Sequence, residues 1–338
     1  MPSDLLEIPA ISYFQYRNRG QLQDIEITSH MIQKYSKYYR KNPRKFFQIN
    51  LSQNLLEITW TKVRQKGSFL YSLGIKQTPY RAISPIIRGA KHSPVHLMNI
   101  HKYQMRNKNG EEWNDTVTLF IHGYAESTVR WHEAFYFRFF RKFFRCDVFS
   151  LELPYHLNRQ PTDSPFSGAY FLNGNPIRML EAMRQSIQEI LFLIEYLKNL
   201  YDRVILFGVS LGGHIVALTS QFLEGIDIIA ALASPFLFNL NPKIVPVSVK
   251  TVAQLKNEHH LNWYKILYPC NIKYFNPFTT NSKTIIVGGR YDRIIPLSYV
   301  EDLSRMLDKP LLTYPGGHIS LIFWLRSILI QINNIFRR

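Results

Sequence analysis

The stretch Val204-Ile-Leu-Phe-Gly-Val-Ser-Leu-Gly-Gly-His214 joins an apolar run to a glycine-rich turn and a second apolar run. Val204 to Phe207 is typical of a parallel strand covered on both faces. Gly208 to Gly212 fits G-x-S-x-G, the pattern of a strand-to-helix turn that lifts a serine hydroxyl above the edge of a sheet. A side chain on either glycine is predicted to collide with nearby backbone. We therefore predict a buried strand, a turn exposing Ser210, and a helix whose N-terminal amides face a developing anion.

Because this pattern also arises by chance, its interpretation depends on further features, and the first is a strand-to-loop junction. Thr116–Ile121 is predicted to be a strand that ends in His122, Gly123 and Tyr124. In acyl transfer the oxyanion is held by the amide after the nucleophile and by one from such a loop, which predicts Leu211 and Tyr124. His122 is an alternative proton acceptor, but a histidine before this glycine is more often a brace for the loop.

Two further strand ends supply an acid and a histidine. Residues 283–292 are predicted to form a strand and a turn ending in Asp292, and residues 311–318 a strand and a loop ending in His318. A serine hydroxyl is a poor nucleophile until a base takes its proton, which predicts His318 as the base and Asp292 as the group that orients its imidazole. The chain order Ser210, Asp292, His318 fits this chemistry on an α/β sheet.

Alternatives exist for the acid and for the histidine. Asp302 and Asp308 are other candidate acids, but they are predicted in a helix and at its end rather than just after a strand. Asp292 can also be explained as a turn former, and His318 as a histidine on a glycine-rich bend. Both explanations would have to coincide at two strand ends, so the catalytic interpretation is favoured.

The rest of the chain alternates predicted strands and helices. Residues 147–153 and 226–232 are predicted as strands, and Glu181 to Leu200 as a helix with one apolar face. Residues 235–278 break this pattern with prolines and aromatic residues, which makes them a candidate lid, with a packed insertion as the alternative. The sequence therefore predicts an α/β fold with a mostly parallel central sheet and helices on both faces.

Four motifs carry a resemblance to a known superfamily. They are Phe120-Ile-His-Gly123, Gly208-Val-Ser-Leu-Gly-Gly-His214, Gly288-Gly-Arg-Tyr-Asp292-Arg-Ile-Ile-Pro296 and Gly316-Gly-His318. On these motifs, residues 95–338 resemble the alpha/beta-hydrolase superfamily. The resemblance implies a serine-hydrolase fold over those residues and an N-terminal extension over residues 1–94.

A narrower resemblance rests on Leu151-Glu-Leu-Pro-Tyr155 and Arg159-Gln-Pro161. These residues are similar to the poorly characterised alpha/beta-hydrolase domain-containing proteins that carry a Pro-Tyr, Arg-x-Pro loop after a central strand. The resemblance implies no particular substrate. Arg159 is a candidate contact for an acidic headgroup or a carboxylate, with a brace for its own loop as the alternative. His122 and Gly123 are further candidates for substrate binding.

The positive charge of the chain is concentrated near its N-terminus. Residues 1–110 contain 18 Lys and Arg against 5 Asp and Glu, while the whole chain has a net charge of +17. Aromatic and basic residues predict an amphipathic helix around Met31 to Tyr39 and a second helix beginning within Asn50 to Trp60, so residues 1–94 are expected to be largely helical and packed on the core. Such helices suit an anionic membrane surface, contacted through residues 25–66, or ordinary core packing. No nucleic-acid partner is expected, because no recognised motif accompanies the charge.

The two cysteines and the N-terminus bear on location and cofactors. Cys146 and Cys270 lie far apart without metal-ligand spacing, so neither a disulfide nor a metal site is predicted. The first residues lack a signal-peptide pattern, and no window is long and apolar enough for a membrane span. We expect a cytoplasmic protein, with peripheral membrane contact as an extension, and no metal or nucleotide cofactor.

These features together predict a serine hydrolase of the carboxylesterase or lipase type that forms an acyl-enzyme. A lipid ester is a candidate substrate because of the basic, aromatic N-terminal region and the insertion. An acyltransferase would use the same three residues with another acceptor, and a non-catalytic binding protein could retain the same scaffold.

Overall fold

The described part of the protein is built on one β-sheet. The computed structural model describes residues 30, 33, 43–47, 49, 57–66, 69–80, 94–105, 115–172, 175–236, 267–275 and 282–336. Within these ranges the strands are β1 (Thr59–Lys66), β2 (Phe69–Gln77), β3 (Leu97–Met105), β4 (Thr116–Ile121), β5 (Asp147–Leu151), β6 (Arg203–Val209), β7 (Asp227–Ala231), β8 (Lys283–Gly289) and β9 (Leu311–Tyr314). Their order across the sheet is β1-β2-β3-β5-β4-β6-β7-β8-β9.

Strand direction divides the sheet into two parts. The pairs β1/β2, β2/β3 and β3/β5 are antiparallel, whereas β5, β4, β6, β7, β8 and β9 run parallel. The carboxyl ends of the six parallel strands therefore meet at one side of the sheet, which we call the carboxyl edge. Ligands of open α/β sheets bind in the loops at this edge. The predicted mostly parallel sheet is confirmed.

Helices cover both faces of the sheet. They are α1 (Pro43–Phe47), α2 (Arg130–His132), α3 (Arg138–Phe143), α4 (Pro176–Lys198), α5 (Leu211–Thr219), α6 (Leu297–Leu307) and α7 (Leu325–Phe336). A π-helical turn, Glu133–Phe137, joins α2 to α3. Short 3-10 helices form at Pro94–His96, Leu157–Arg159, Ser220–Phe222, Tyr268–Cys270, Ile272–Tyr274 and Ser320–Trp324.

The apolar run in β6 explains why both faces are covered. Val204 and Leu206 belong to a core that contains residues of α4, α5 and α6. Ile205 and Phe207 point the other way, into a core that contains residues of α3 and α7. Because side chains alternate along a strand, a four-residue apolar run needs apolar cover on both sides. The local sequence thus required the layered architecture.

Part of the predicted helical extension is strand. Residues 50–56 lie outside the described residues, but from Thr59 the chain forms β1 and β2, so the boundary predicted at residue 95 falls between two strands of one sheet. A Cβ built on Gly74 would lie 2.7 Å from the Trp60 ring, and that ring meets Phe149 edge-on at 5.7 Å. The local pattern predicted a helix, but pairing of β1 with β2 and packing of Trp60 on Phe149 make this segment a strand.

The described part of residues 25–66 includes α1, which packs on the core. Phe47 is fully buried, with its ring 5.9 Å from that of Phe222 and 6.2 Å from that of Phe275. Arg44 donates a 2.8 Å hydrogen bond to the carbonyl of Gln221. In α1 the aromatic residues therefore act as core. The helix predicted around Met31 to Tyr39 falls largely outside the described residues, and the membrane surface stays a prediction.

The candidate lid lies mostly outside the described residues. Of residues 235–278, only 235–236 and 267–275 are described, and Cys270 is buried in the core there. The lid therefore stays a prediction. Among the residues that the structure covers, no helix combines the length and apolar character needed to cross a bilayer.

Candidate active site

Ser210 lies at the junction of β6 and α5 in a backbone conformation that few side chains adopt. Its φ is 56° and its ψ is −118°. The surrounding structure holds it there, since its N–H donates a 2.9 Å hydrogen bond to the carbonyl of Ala231 on β7. Such strained positions persist only where neighbours over-determine them, and they cluster at functional sites.

Two glycines allow the turn to close. A Cβ built on Gly208 would lie 2.2 Å from the carbonyl oxygen of Gly212, and a Cβ on Gly212 would lie 2.2 Å from that of Ile121. Both distances are far below van der Waals contact, so only glycine fits. The second contact also brings the end of β4 to the turn, and a Cβ built on Gly123 would lie 3.5 Å from that of Ser210. The loop after β4 therefore lies beside Ser210.

The structure brings Ser210, His318 and Asp292 together at the carboxyl edge. The Oγ of Ser210 lies 2.8 Å from Nε2 of His318. Nδ1 of His318 lies 2.8 Å from Oδ2 of Asp292. These side chains come from the ends of three parallel strands and are separated by up to 108 positions in the chain. The arrangement is a continuous hydrogen-bonded path from an oxygen nucleophile to a carboxylate.

The carboxylate of Asp292 is fixed by its own loop. Its Oδ1 accepts hydrogen bonds of 2.8 Å from the N–H groups of both Ile294 and Ile295. One oxygen is thus anchored by backbone, and the other is left to face His318. The alternative acids lie elsewhere, because Asp302 is in α6, paired with Arg305, and Asp308 ends that helix with a φ of 51°.

His122 braces the loop after β4 rather than facing the cavity beside Ser210. Its Nε2 lies 3.0 Å from the backbone N of Leu153, and its Nδ1 lies 2.7 Å from the carbonyl oxygen of Gly123. A backbone N–H can only donate, so Nε2 accepts and Nδ1 carries the proton that it donates to Gly123. Burial of the ring, helped by the nearby charge of His132, lowers the pKa of His122 to about 4. His122 is therefore a neutral imidazole with both nitrogens in use.

The bond from His122 also orients the next amide. In a trans peptide the N–H points away from the C=O. Because the carbonyl of Gly123 faces His122, the N–H of Tyr124 points to the opposite side of that peptide. Gly123, Tyr124 and Leu211 all line the cavity beside Ser210. Leu211 is the first residue of α5, where amides have no partner within the helix.

Ser210 and His318 open into a cavity of about 360 Å³. Most of its wall is aliphatic or aromatic. The lining residues are Gly123, Tyr124, Glu126, Trp131, His132, Tyr136, Leu172, Val209, Ser210, Leu211, His214, Ser234, Ile294, Ile295, His318, Ile319 and Ile322. The composition fits a small apolar group held next to a polar reaction centre.

Sequence reasoning missed the polar side chains in the cavity wall. His132 Nε2 lies 2.9 Å from the carboxylate of Glu126, and His214 Nδ1 lies 2.9 Å from the carbonyl of Ser234. Burial raises the pKa of Glu126, but the hydrogen bond and charge of His132 outweigh it and leave the pKa lowered. Glu126 lies in a loop and His132 six positions later ends α2, and this spacing gave no signal for the pair. Within the described ranges, no group of three or more His, Cys, Asp or Glu side chains could hold a metal ion.

Arg159, a predicted candidate for substrate contact, does not line the cavity. Its side chain is fully buried, and its two terminal nitrogens each lie 2.7 Å from a carboxylate oxygen of Glu189 on α4. The same nitrogens donate to the carbonyls of Glu152 and Val95. The guanidinium contacts three segments of the chain. These contacts support the second role considered for Arg159, a brace for its own loop, rather than a contact with substrate.

Two buried histidines predict that the protein loses stability in mild acid. Burial, the main cause, lowers the pKa of His122 and of His214 from 6.5 to about 4. Between these values the unfolded chain binds more protons than the folded one, so protonation favours unfolding. For each histidine the free energy of unfolding is expected to fall by about 3 kcal/mol as the pH drops from 7 to 4. Urea unfolding across this range measures the loss, and NMR titration of each imidazole checks the pKa; an imidazole pKa near 6.5 would contradict the prediction.

Comparison with known proteins shows the fold. No protein-family model matches the chain, and no curated protein matches its sequence. Among solved structures, acetyl xylan esterase from Paenibacillus sp. R4 is 11% identical with a TM-score of 0.58, over 96% of this chain and 98% of its own. Acetyl xylan esterase 1 from Thermoanaerobacterium sp. JW/SL YS485 is 11% identical with a TM-score of 0.54, over 91% and 99%. An S-formylglutathione hydrolase from Agrobacterium tumefaciens is 11% identical with a TM-score of 0.52, over 83% and 97%. The predicted alpha/beta-hydrolase fold is confirmed.

Proposed function

We propose that the protein is a serine hydrolase that cleaves carboxylic esters through an acyl-enzyme. The observation that carries the proposal is the path from Ser210 Oγ through His318 to Asp292, with both hydrogen bonds at 2.8 Å, at the mouth of an apolar cavity. A nucleophile, a base within reach of its proton and a group that orients the base are the parts that acyl transfer requires.

In the proposed acylation step, Ser210 Oγ attacks the ester carbonyl carbon while its proton moves to His318 Nε2. The carbonyl oxygen becomes an oxyanion that accepts hydrogen bonds from the N–H groups of Tyr124 and Leu211. The bond from His122 to Gly123 supports this role for Tyr124, because it orients that amide before substrate arrives. The oxyanion then reforms the carbonyl, the C–O bond to the alcohol breaks, and the alcohol leaves with the proton from His318.

In the proposed deacylation step, a water molecule takes the place of the alcohol. His318 Nε2 removes a proton from this water as its oxygen attacks the acyl carbon. The second tetrahedral intermediate collapses, the bond to Ser210 Oγ breaks, and Oγ regains the proton from His318. The products are the carboxylic acid and free enzyme. Transfer to an alcohol instead of water would make the protein an acyltransferase.

The substrate that the cavity favours is an ester with an apolar acyl group. Leu172, Val209, Ile294, Ile295 and Ile322 are among the residues of its wall. Burying such a group gains about 0.8 kcal/mol per methylene, which supports lipid esters as substrates. The matching solved structures include two proteins named as acetyl xylan esterases, and that likeness supports ester cleavage by analogy of fold.

A fluorophosphonate probe tests the proposal directly, because it forms a covalent bond only with an activated serine. The wild-type protein is expected to be labelled, and Ser210→Ala to remain unlabelled because no other serine is predicted to be activated. Ser298→Ala changes an exposed serine in α6 and is expected to label like wild type. Folded wild type that resists the probe, or labelling that survives in Ser210→Ala, would overturn the proposal and favour a non-catalytic scaffold.

A further inference from the structure

We propose that the rim of the cavity is a docking surface for an anionic lipid bilayer. We define the mouth surface as the exposed apolar residues Trp131, Tyr291, Ile319 and Phe323 with the arginines that flank them. The inference rests on the proposed function, since it places the reacting serine next to a source of lipid esters. It is separate from the membrane contact predicted through residues 25–66, which stays a prediction.

The four apolar residues lie at one place in the fold. Trp131 follows β4, Tyr291 follows β8, and Ile319 and Phe323 follow β9, so all four emerge from the carboxyl edge. Trp131 and Ile319 line the cavity itself. Phe323 follows Ile322, another lining residue, in the 3-10 helix Ser320–Trp324. Trp131 and Ile319 therefore border the entrance to Ser210, while Phe323 and Tyr291 are each adjacent in sequence to a residue of the site, Ile322 and Asp292.

These four side chains are exposed to solvent although they are apolar. Phe323 is 70% exposed, Trp131 is 60%, Tyr291 is 58% and Ile319 is 40%. The ring of Trp131 stacks on Phe135 at 5.1 Å, which holds it in place although it faces solvent. Exposed apolar groups next to one another at the mouth of a site mark an interaction surface. Aromatic rings with a polar end suit the boundary between acyl chains and headgroups.

The exposed charges that flank the mouth surface are mostly positive, because the two acids beside it already have partners: Glu126 contacts His132 and Glu133 contacts Arg64. The segments 127–132, 290–295 and 319–327 contain Arg130, Arg290, Arg293 and Arg326, all exposed. Their one acidic residue is Asp292, which is buried against His318. Arginine beside exposed apolar residues matches a bilayer whose headgroups are anionic, because its stem packs with apolar groups while its guanidinium pairs with phosphate.

The same charge argues against a second copy of the chain as the occupant. In a symmetric dimer the mouth surface would face itself, so arginines would meet arginines, and the one acid in these segments, Asp292, is buried against His318. Like charges brought together across an interface disfavour that pairing. An anionic bilayer satisfies both the apolar and the charged parts of the surface.

Vesicle binding tests the docking, with hydrolysis removed by working in Ser210→Ala protein. This protein is expected to co-sediment with vesicles of phosphatidylcholine and phosphatidylglycerol, and less with phosphatidylcholine alone. Adding Phe323→Ser is expected to weaken binding by about tenfold, because an interfacial aromatic anchor is lost. Adding Arg326→Gln is expected to weaken binding only where phosphatidylglycerol is present. Leu200→Ser is the matched control, since Leu200 is 53% exposed but precedes β6, at the opposite edge.

The outcomes separate the docking from the proposed function. The proposed docking surface is wrong, even if the enzyme is active, in either of two cases. In the first, Phe323→Ser and Arg326→Gln both bind vesicles as tightly as the Ser210→Ala protein without them. In the second, Leu200→Ser weakens binding as much as Phe323→Ser does. If sedimentation shows that Phe323→Ser turns a dimer into a monomer, a second copy occupies the surface instead. The single variant Phe323→Ser, which retains Ser210, should hydrolyse a water-soluble short-chain ester at the wild-type rate. It should hydrolyse an ester embedded in vesicles more slowly than wild type. Wild type that binds vesicles but cleaves no ester would overturn the proposed function and leave the docking intact.

Discussion

Replacement of Ser210 with alanine is expected to lower kcat for ester hydrolysis by about a millionfold, because the attacking oxygen is removed and the acyl-enzyme cannot form. The remaining rate would come from the oxyanion amides and the cavity acting on a water molecule. The fold should survive, since alanine differs from serine only by the Oγ, and Ser210 Oγ bonds to His318 alone among the contacts that the structure describes. Initial rates on a medium-chain ester, measured at saturating substrate, give kcat.

Two controls make this result specific. Ser298→Ala should keep wild-type kcat, because Ser298 is exposed in α6 and takes no part in the site. The thermal midpoint of Ser210→Ala should stay close to that of wild type, which shows that the loss is chemical. A Ser210→Ala protein that is folded and retains a tenth or more of the activity would mean that another group is the nucleophile.

Replacement of Asp292 with asparagine is expected to lower kcat by about ten-thousandfold. Oδ1 of the new amide would keep the hydrogen bonds from Ile294 and Ile295, which leaves its NH₂ facing His318. An amide NH₂ only donates, so Nδ1 of His318 would have to accept, and the imidazole proton would move to Nε2. Nε2 could then no longer take the proton from Ser210.

Asp302→Asn is the matched control for the acid. Asp302 was an alternative acid in the sequence, and in the structure it pairs with Arg305 on the surface of α6. The control is expected to keep kcat unchanged, because Asp302 does not line the cavity beside Ser210. Its exposed pair with Arg305 also contributes little to stability, so the fold should be unaffected. Equal losses in the two variants would show that Asp292 does not act through His318. A pH–rate profile adds a second readout, since the wrong tautomer of His318 lowers the rate across the whole range.

Much of the fold could be predicted because local pattern and global fold agree. The apolar run in β6 required cover on both faces, and the two glycines of the turn are needed wherever a helix must pass this close to a strand. The six parallel strands, the turn and the strand ends that carry Ser210, Asp292 and His318 all lie where the sequence predicted them. The catalytic role of the three residues remains a prediction until activity is measured.

Where the sequence was wrong or left two roles open, the deciding partners lie far away in the chain. The pattern around Trp60 suggested a helix, but pairing of β1 with β2 and packing on Phe149 made it a strand. The sequence left two roles open for Arg159, a substrate contact and a brace for its loop, and the contact with Glu189, 30 positions away, favours the brace. No local pattern reveals such a partner, because a charged residue looks the same in sequence whether it faces substrate or a buried carboxylate.

The sequence by itself determined the six parallel strands, the sharp turn at Ser210 and the strand ends that deliver an acid and a histidine. These follow from side-chain periodicity and backbone sterics, which act over a few residues. Only the tertiary structure decided that backbone N–H groups anchor Asp292 Oδ1. It also decided which backbone groups the neutral imidazole of His122 contacts, and that exposed apolar side chains lie at the cavity mouth. Those properties depend on which distant groups come within hydrogen-bonding distance and which surfaces stay uncovered, and folding of the whole chain sets both.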